Sequence, residues 1–438
     1  MKLLFVTLGC AKNTVDSERM LYLLTRAGYQ TTADPAEAEI AVVNTCAFLE
    51  SARQEAIDQI LELALLKTEG KLHTLVVAGC MAQLIQGEIT EQMPEVDGVV
   101  GCGRTEEIVE QVEAAVAKRS PLAVGNLDAA VVVGDRVLSE SPFTAYLKIS
   151  EGCDNRCAYC LIPSIRGPFR SAPIDALVQQ AASLAENGVR ELIVVSQDTT
   201  RYGRDLYGKP HLCELLRRLC GIDALRWIRL HYLHPDGIDD DLIALVASCD
   251  KIVKYLDIPI QHADGGILAA MNRSPAPLDA LFTRLRQRID GLVLRTTVMV
   301  GFPGETQEAF ARLYQFLERH KVERAGVFVY SREEGTAAAE MPNQVEAETA
   351  LKRQEALQLL QAEVQDGWNQ TRFGTTMTVL CEGFDRLTDH YYGRSYADSP
   401  DVDGKVFFTS EKRVAAGDFV EIAIESALDG DLLGVHLP

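Results

Sequence analysis

The sequence predicts a multidomain α/β protein: an N-terminal doubly wound parallel sheet, a central partial (β/α)6 barrel and a small C-terminal antiparallel β-barrel. Three observations predict it. Short apolar runs alternate with helical patterns from residue 3 to residue 117, the signature of a parallel sheet with helices on its faces. Six further strand–helix units follow between residues 146 and 330, enough for an open barrel. After residue 372 the helical patterns stop, and short β segments broken by Gly and Asp take over.

In the first segment, strands are expected at 3–7, 40–44, 75–78 and 98–100, and helices at 16–27, 51–67, 81–92 and 106–117. Residues 118–142 carry Pro, Gly and small apolar residues without a helical period, and read as a connection with room for a hairpin. In the second segment, strands are expected at 146–150, 191–196, 227–230, 253–258, 294–300 and 326–330. The C-terminal ends of such strands are where a barrel carries its functional residues. Residues 346–370 form one long amphipathic pattern. The tail strands lie in TTMTVLCEG, KVFFTS and DFVEIAIESALDGDLLGVHL. The expected domains are therefore 1–117, a linker at 118–138, 139–371 and 372–438.

The chain has 438 residues, 47% hydrophobic and 24% charged, ordinary globular values that exclude disorder, collagen and a disulfide scaffold. No apolar run approaches the roughly 18–20 residues of a membrane span. The opening MKLLFVTLGC has the look of a lipoprotein leader, but its apolar stretch is shorter than the roughly 7–15 residues of an h-region. A first β-strand is the better reading and places the chain in the cytosol. There eleven cysteines, an odd number, stay reduced and ligate metals or clusters rather than form disulfides. The net charge of −20 argues against a protein that holds nucleic acid by neutralising phosphate.

The strongest chemical signal is Cys153-Asp-Asn-Arg-Cys157-Ala-Tyr-Cys160, directly after the strand YLKIS. Three thiolates on one loop can surround one metal centre. Structural zinc wants four ligands, and no fourth Cys or His lies nearby in the sequence. A [4Fe–4S] cluster on three thiolates keeps one iron open for a small molecule. A second triplet is Cys10, Cys46 and Cys80, each following a strand, in LFVTLGC, AVVNTC and LVVAGC. The C-terminal ends of parallel strands share one edge, and adjacent strands lie about 4.8 Å apart, so these thiols can converge on one cluster. Gly9 and Gly79 let the backbone turn closely around it. The competing reading, that each Cys is a small buried hydrophobe, holds for a single Cys and weakens for three in equivalent positions. Cys102, Cys213, Cys220, Cys249 and Cys381 show no matching pattern and read as packing residues.

Weaker signals follow other strands. VMVGFPGET ends in Gly301, Gly304 and Glu305, a strand–turn–helix that admits a ligand close to the backbone. SQDTTRYG carries Gln197 and Asp198 at a strand end, where turn chemistry and helix capping are the alternative use. His231 and His234 form an H-x2-H pair without a third ligand. His262 follows another strand and suits a substrate contact or a structural hydrogen bond equally.

The C-x3-C-x2-C loop after the first barrel strand resembles the radical S-adenosylmethionine (SAM) superfamily. Together with the second triplet and the β tail, the whole chain resembles the methylthiotransferases, whose C-terminal module is a TRAM domain. This resemblance implies two [4Fe–4S] clusters, on Cys10, Cys46 and Cys80 and on Cys153, Cys157 and Cys160. It implies that the second cluster cleaves SAM to a deoxyadenosyl radical while the first holds the sulfur to be methylated and inserted. Tyr159, Gln197, Asp198, Gly301 and Glu305 are the implied SAM contacts. One branch of the family modifies tRNA adenosine, the other an aspartate β-carbon of small-subunit ribosomal protein twelve. LGCAKNTVDSERM, NTCAFLESARQEAI, DIPIQHADGGILAAMNR, YSREEGTAA and GRSYADSPDVDGKVF are similar to the ribosomal-protein branch. One departure is FRSAP, where the family commonly has Arg at the position of Ala172. Charge agrees: residues 1–117 carry a net −10 and residues 372–438 a net −6, which repels tRNA and attracts a basic protein. The resemblance further implies a flavodoxin- or ferredoxin-like electron donor and a sulfur donor, with no membrane partner.

Overall fold

The computed structural model describes residues 1–438. The N-terminal sheet comprises β1 (Lys2–Thr7), β2 (Gln30–Thr31), β3 (Ile40–Thr45), β4 (Thr74–Gly79), β5 (Gly98–Gly101) and β6 (Leu122–Ala123), all parallel, in the order β2-β1-β3-β4-β5-β6. Every residue of β3 and β4 is buried, because helices cover both faces and force a continuous apolar run instead of an alternating one. Leu4, Val43, Val77 and Val99 join one buried cluster, and Leu3, Val42, Val76 and Val100 join another.

Several elements differ from the sequence expectation. The first helix runs over Ala11–Arg26, so it begins immediately after Cys10. Its first turns bury Lys12, Asn13 and Asp16 against polar groups of the barrel domain, Glu18 against Arg136 of the connection and Ser17 against Asn44, and an apolar period cannot register such a face. The single helix expected at 81–92 is two, Cys80–Ile85 and Glu88–Gln92, broken at Gln86 with φ +40°. The connection contributes no hairpin; it adds β6 as a parallel edge of the first sheet.

The central domain has six parallel strands, β7 (Thr144–Lys148), β10 (Glu191–Val195), β11 (Trp227–Leu230), β12 (Ile252–Asp257), β13 (Val293–Val300) and β14 (Arg324–Val329), in the order β14-β13-β12-β11-β10-β7. The sheet is open, as expected. Between β7 and β10, the short strands β8 (Ser150–Glu151) and β9 (Arg170–Ser171) pair antiparallel and clasp the cysteine loop. The long helix spans Ala347–Gln370. No helix is long and apolar enough to cross a membrane.

The tail closes into a five-stranded barrel: β15 (Thr376–Asp385), β16 (His390–Ser395), β17 (Val406–Thr409), β18 (Phe419–Leu428) and β19 (Asp431–His436). It is antiparallel apart from the parallel pair of β17 and β19. This module packs beneath the central barrel. Phe143, Trp227, Val253, Tyr255 and Val293 meet Leu380 and Ala397 there.

Beside this apolar seam runs a buried charged one. Glu191 accepts from Arg229 Nε at 2.9 Å and from Arg394 Nη2 at 2.6 Å. Arg229 Nη1 donates to Tyr396 O at 2.8 Å, Tyr255 Oη to Asp403 at 2.6 Å, and Arg324 pairs with Asp398 at 3.0 Å. Burial alone would raise the Glu191 carboxyl; Arg394 and Arg229 outweigh it and hold the pKa at about 2, below its ordinary 4.5. Its charge therefore stabilises the fold above pH 4.5 and is lost as pH falls towards about 2. Glu191→Gln strands two buried guanidiniums and is expected to cost about 3–5 kcal/mol. Urea unfolding of the metal-free protein should show this loss, with a flatter acid limb than the parent protein.

Candidate functional site

The sheet register builds the first thiol site. Thr45 pairs with Gly79, and Gly79 with Gly101, so Cys46, Cys80 and Cys102 follow register-equivalent residues on neighbouring strands. Thr7 pairs with Asn44, which brings Cys10 in from the far side of β3. In a sheet ordered 2-1-3-4-5, the crevice between β1 and β3 is the topological switch point where ligands bind. Asn13 ties the loops together. Its Nδ2 donates to Leu8 O and Thr45 O, both at 2.9 Å, and its Oδ1 accepts from the Cys80 thiol at 3.6 Å.

The two glycines act as expected. A Cβ on Gly9 would sit 2.7 Å from Cys46 Cβ. At Gly79, with φ +92°, it would sit 2.1 Å from Asn44 Oδ1 and 2.7 Å from Thr45 O. Gly79→Ala is therefore expected to cost about 1–3 kcal/mol from the backbone conformation alone. It should also displace Cys80, read as lower iron per chain after anaerobic reconstitution.

Cys102, read from the sequence as a packing residue, packs against the N-terminal core and also meets another thiol. It follows β5 on the same edge, and its thiol donates to Cys80 Sγ at 3.8 Å. This contact and the adjacent Arg166 hold the Cys80 pKa below the ordinary thiol range. Cys220 and Cys249, also expected to be unrelated packing residues, have sulfurs 2.9 Å apart. They end neighbouring barrel helices, an adjacency that sequence spacing does not encode.

Cys153, Cys157 and Cys160 lie on the loop after β8. Gly152 (φ +74°) starts the turn where a Cβ would meet Pro168 O at 2.0 Å. Cys153 N donates to Gly167 O at 3.1 Å and Ala158 N to Met271 O at 2.9 Å. Arg273 Nη1 approaches Cys157 Sγ at 3.7 Å. Burial pushes Cys153 up to about 11 and Cys160 up to about 12, as it does Cys46, to about 11.

A single buried side chain joins the two sites. Arg166 follows Cys160 by one short helix, Ile162–Arg166, and its side chain is 1% exposed. Its Nη2 donates to Asn13 Oδ1 at 2.5 Å and to Cys80 Sγ at 3.4 Å. Its Nη1 pairs with Asp16 and Glu151, each at 3.0 Å. Lys148 Nζ completes the group, bound to Asp16 and, at 2.7 Å, to Glu151. Burial would raise the Glu151 carboxyl, but Arg166 and Lys148 hold it well below the usual range. Sequence reasoning missed Asn13, Asp16, Lys148, Glu151, Arg166 and Arg273. The one readable signal was a run of polar residues, AKNTVDSE, at the start of a helix.

The expected SAM contacts fall around the barrel mouth. Tyr159 stands edge-on to Phe302 at 6.5 Å. Gln197 Nε2 donates to Glu151 at 3.1 Å, and its buried Oε1 has no partner. Asp198 accepts from Asn155 at 2.8 Å and Thr200 Oγ1 at 2.6 Å. Glu305 sits behind the turn, where it accepts from Gly301 N and pairs with Arg353 at 3.2 Å. His262 Nε2 lies 3.6 Å from Glu305, and both side chains are fully buried. His231 meets Ser399 of the C-terminal barrel at 3.0 Å. Ala172 is buried, and its carbonyl accepts from Tyr202 Oη at 2.8 Å.

The donor set suits iron–sulfur clusters. Each site offers three free thiols, the donor type that iron–sulfur clusters take. Guanidinium donors reach Cys80 and Cys157, and hydrogen bonds to ligating sulfurs tune such clusters.

Comparison with known proteins agrees with this geometry. Residues 2–101 match the profile described as uncharacterized protein family UPF0004, 147–317 that of the radical SAM superfamily, and 373–436 that of the TRAM domain. The chain is 49% identical to the ribosomal protein uS12 methylthiotransferase RimO of Pelotomaculum thermopropionicum, covering 99% of each chain. It is 48% identical to the protein of the same name from Desulforudis audaxviator, over 98% of this chain and 96% of that one. Among solved structures, the radical SAM methyltransferase TsrM of Kitasatospora setae shares the fold at a TM-score of 0.50 and 15% identity, over 74% of this chain and 72% of that one. The chain belongs to the RimO family of radical SAM methylthiotransferases.

Proposed function

We propose that this protein adds a methylthio group to the β-carbon of an aspartate in small-subunit ribosomal protein uS12. The observation that carries the reading is Arg166, which ties the loop after Cys160 to the first thiol site through contacts of 3.4 Å to Cys80 Sγ and 2.5 Å to Asn13 Oδ1. Two separate thiol triplets become one working unit, as a reaction joining hydrogen abstraction to sulfur insertion requires. The family relationship supports the substrate, and the acidic N- and C-terminal segments support a basic protein partner over tRNA.

An aspartate β-carbon offers no acid or leaving group to polar chemistry, so the reaction needs a cofactor-borne radical. Cys153, Cys157 and Cys160 would hold one [4Fe–4S] cluster, and Cys10, Cys46 and Cys80 the other. When bound, these clusters and SAM supply the radical and sulfur chemistry. The chain's own residues orient and insulate. Arg166, Lys148, Asp16 and Glu151 neutralise one another in a buried group that ties the first helix to the barrel domain. Arg273 and Arg166 lower the negative charge on Cys157 and Cys80. Tyr159, Gln197, Asp198, Gly301 and Glu305 shape the SAM side of the mouth, with Glu305 acting from behind Gly301 as a positioning residue. Domain bounds near 117, 139 and 372 divide these tasks. A flavodoxin- or ferredoxin-like donor, a sulfur donor and a cytoplasmic setting complete the reading.

Binding of uS12 and of tRNA, each titrated against the reconstituted protein at two salt concentrations, tests the substrate class. The expected result is uS12 binding that weakens with salt and no matching tRNA affinity. Tighter binding of tRNA would overturn the assignment.

A further inference from the structure

Cys102 stands apart from the three cysteines expected to ligate the first cluster. Its thiol is 3.8 Å from Cys80 Sγ, and, where Cys80 is buried, it is only partly buried. It lines a cavity of about 240 Å³ between the N-terminal sheet, the connection and the barrel. Five cations, Arg104 and Arg136 among them, and four carboxylates line the same cavity. Arg136 is 1% exposed and pairs with Glu18 at 3.1 Å, yet its Nε has no hydrogen-bond partner; Arg104, paired with Glu107 at 2.6 Å, likewise keeps a buried Nε without an acceptor. Unsatisfied buried guanidinium donors are costly without an acceptor. A small anion entering this cavity would supply one and would arrive beside a thiol.

We propose that Cys102 is a sulfur-accepting site that takes sulfane sulfur from an inorganic polysulfide and holds it next to Cys80. The Cys102 thiol passes its proton to the basic polysulfide dianion, and its sulfur attacks the terminal sulfur. One S–S bond of the polysulfide breaks, one S–S bond forms on Cys102, and the electron pair leaves with the shortened polysulfide. Charge and electrons balance without an external oxidant or reductant. The step rests on the methylthiotransferase reading, because it supplies that reaction's sulfur. The cavity is too small for a protein donor's loop, which favours the inorganic source.

The test treats anaerobically reconstituted protein with sodium tetrasulfide, alkylates it, and maps persulfides by peptide mass. The expected result is one added sulfur on the Cys102 peptide, ahead of Cys213, Cys220 and Cys249. Arg104→Gln should slow labelling at Cys102 alone. In Cys102→Ala, methylthio product per chain in a single turnover with tetrasulfide should fall severalfold. Labelling no faster at Cys102 than at the other three, or unchanged product from Cys102→Ala, would overturn the proposal. Deoxyadenosine release by the parent protein, measured in the same samples, tests the underlying reading separately.

Discussion

Replacing Arg166 by leucine is expected to uncouple the two thiol sites and to destabilise the protein by about 3–5 kcal/mol, the usual consequence of removing one partner from a buried ion group. The substitution leaves Asp16 and Glu151 facing each other with only Lys148 between them. It also removes the donor to Asn13 Oδ1 and Cys80 Sγ. Thermal unfolding of the metal-free protein gives the stability change, and iron per chain after reconstitution gives the loss at the first site. Arg166→Lys separates charge from geometry. Lysine retains the cation but cannot reach Asp16, Glu151, Asn13 and Cys80 together with one compact ammonium. It should recover part of the stability and little of the iron. Parent-like stability and iron content in Arg166→Leu would show that the bridge is incidental.

Replacing Cys153 by alanine is expected to abolish reductive SAM cleavage while sparing the other site. Iron should fall by one cluster, and deoxyadenosine should disappear. Cys46→Ala should give the reverse pattern: deoxyadenosine persists and the methylthio product does not form. Anaerobic iron determination and chromatography of the nucleoside read both. If Cys46→Ala also loses deoxyadenosine, the division of labour between the triplets is wrong.

The sheet order and the strand-end cysteines were legible because both follow from local patterns. A run such as AVVNTC states that a buried strand ends in a thiol, and parallel strands bring their ends to one edge. Arg166 was not legible. Its partners Asp16, Asn13 and Cys80 come from the other domain, and nothing in LIPSIRG marks the arginine as buried. The start of the first helix was misjudged for the same reason, since its inward face is polar. Cys102 was a near miss. GVVGCGR has the strand-then-Cys form of the other three, and the register of Gly101 with Gly79 supplies what the sequence does not. His262 looked like a barrel-mouth residue; its ring is fully buried, with Nδ1 accepting from Asp264 N at 2.9 Å. The seam beneath the barrel was also hidden, because Glu191, Arg229 and Arg394 come from three separate segments that only the fold places together.

The most direct test of the central claim is product mass. Reconstituted protein is incubated anaerobically with SAM, reductant and sulfide, and with either purified uS12 or tRNA. The account predicts a methylthio increment on an aspartate of uS12, absent with Cys153→Ala. An increment on tRNA adenosine, with uS12 unchanged, would contradict it.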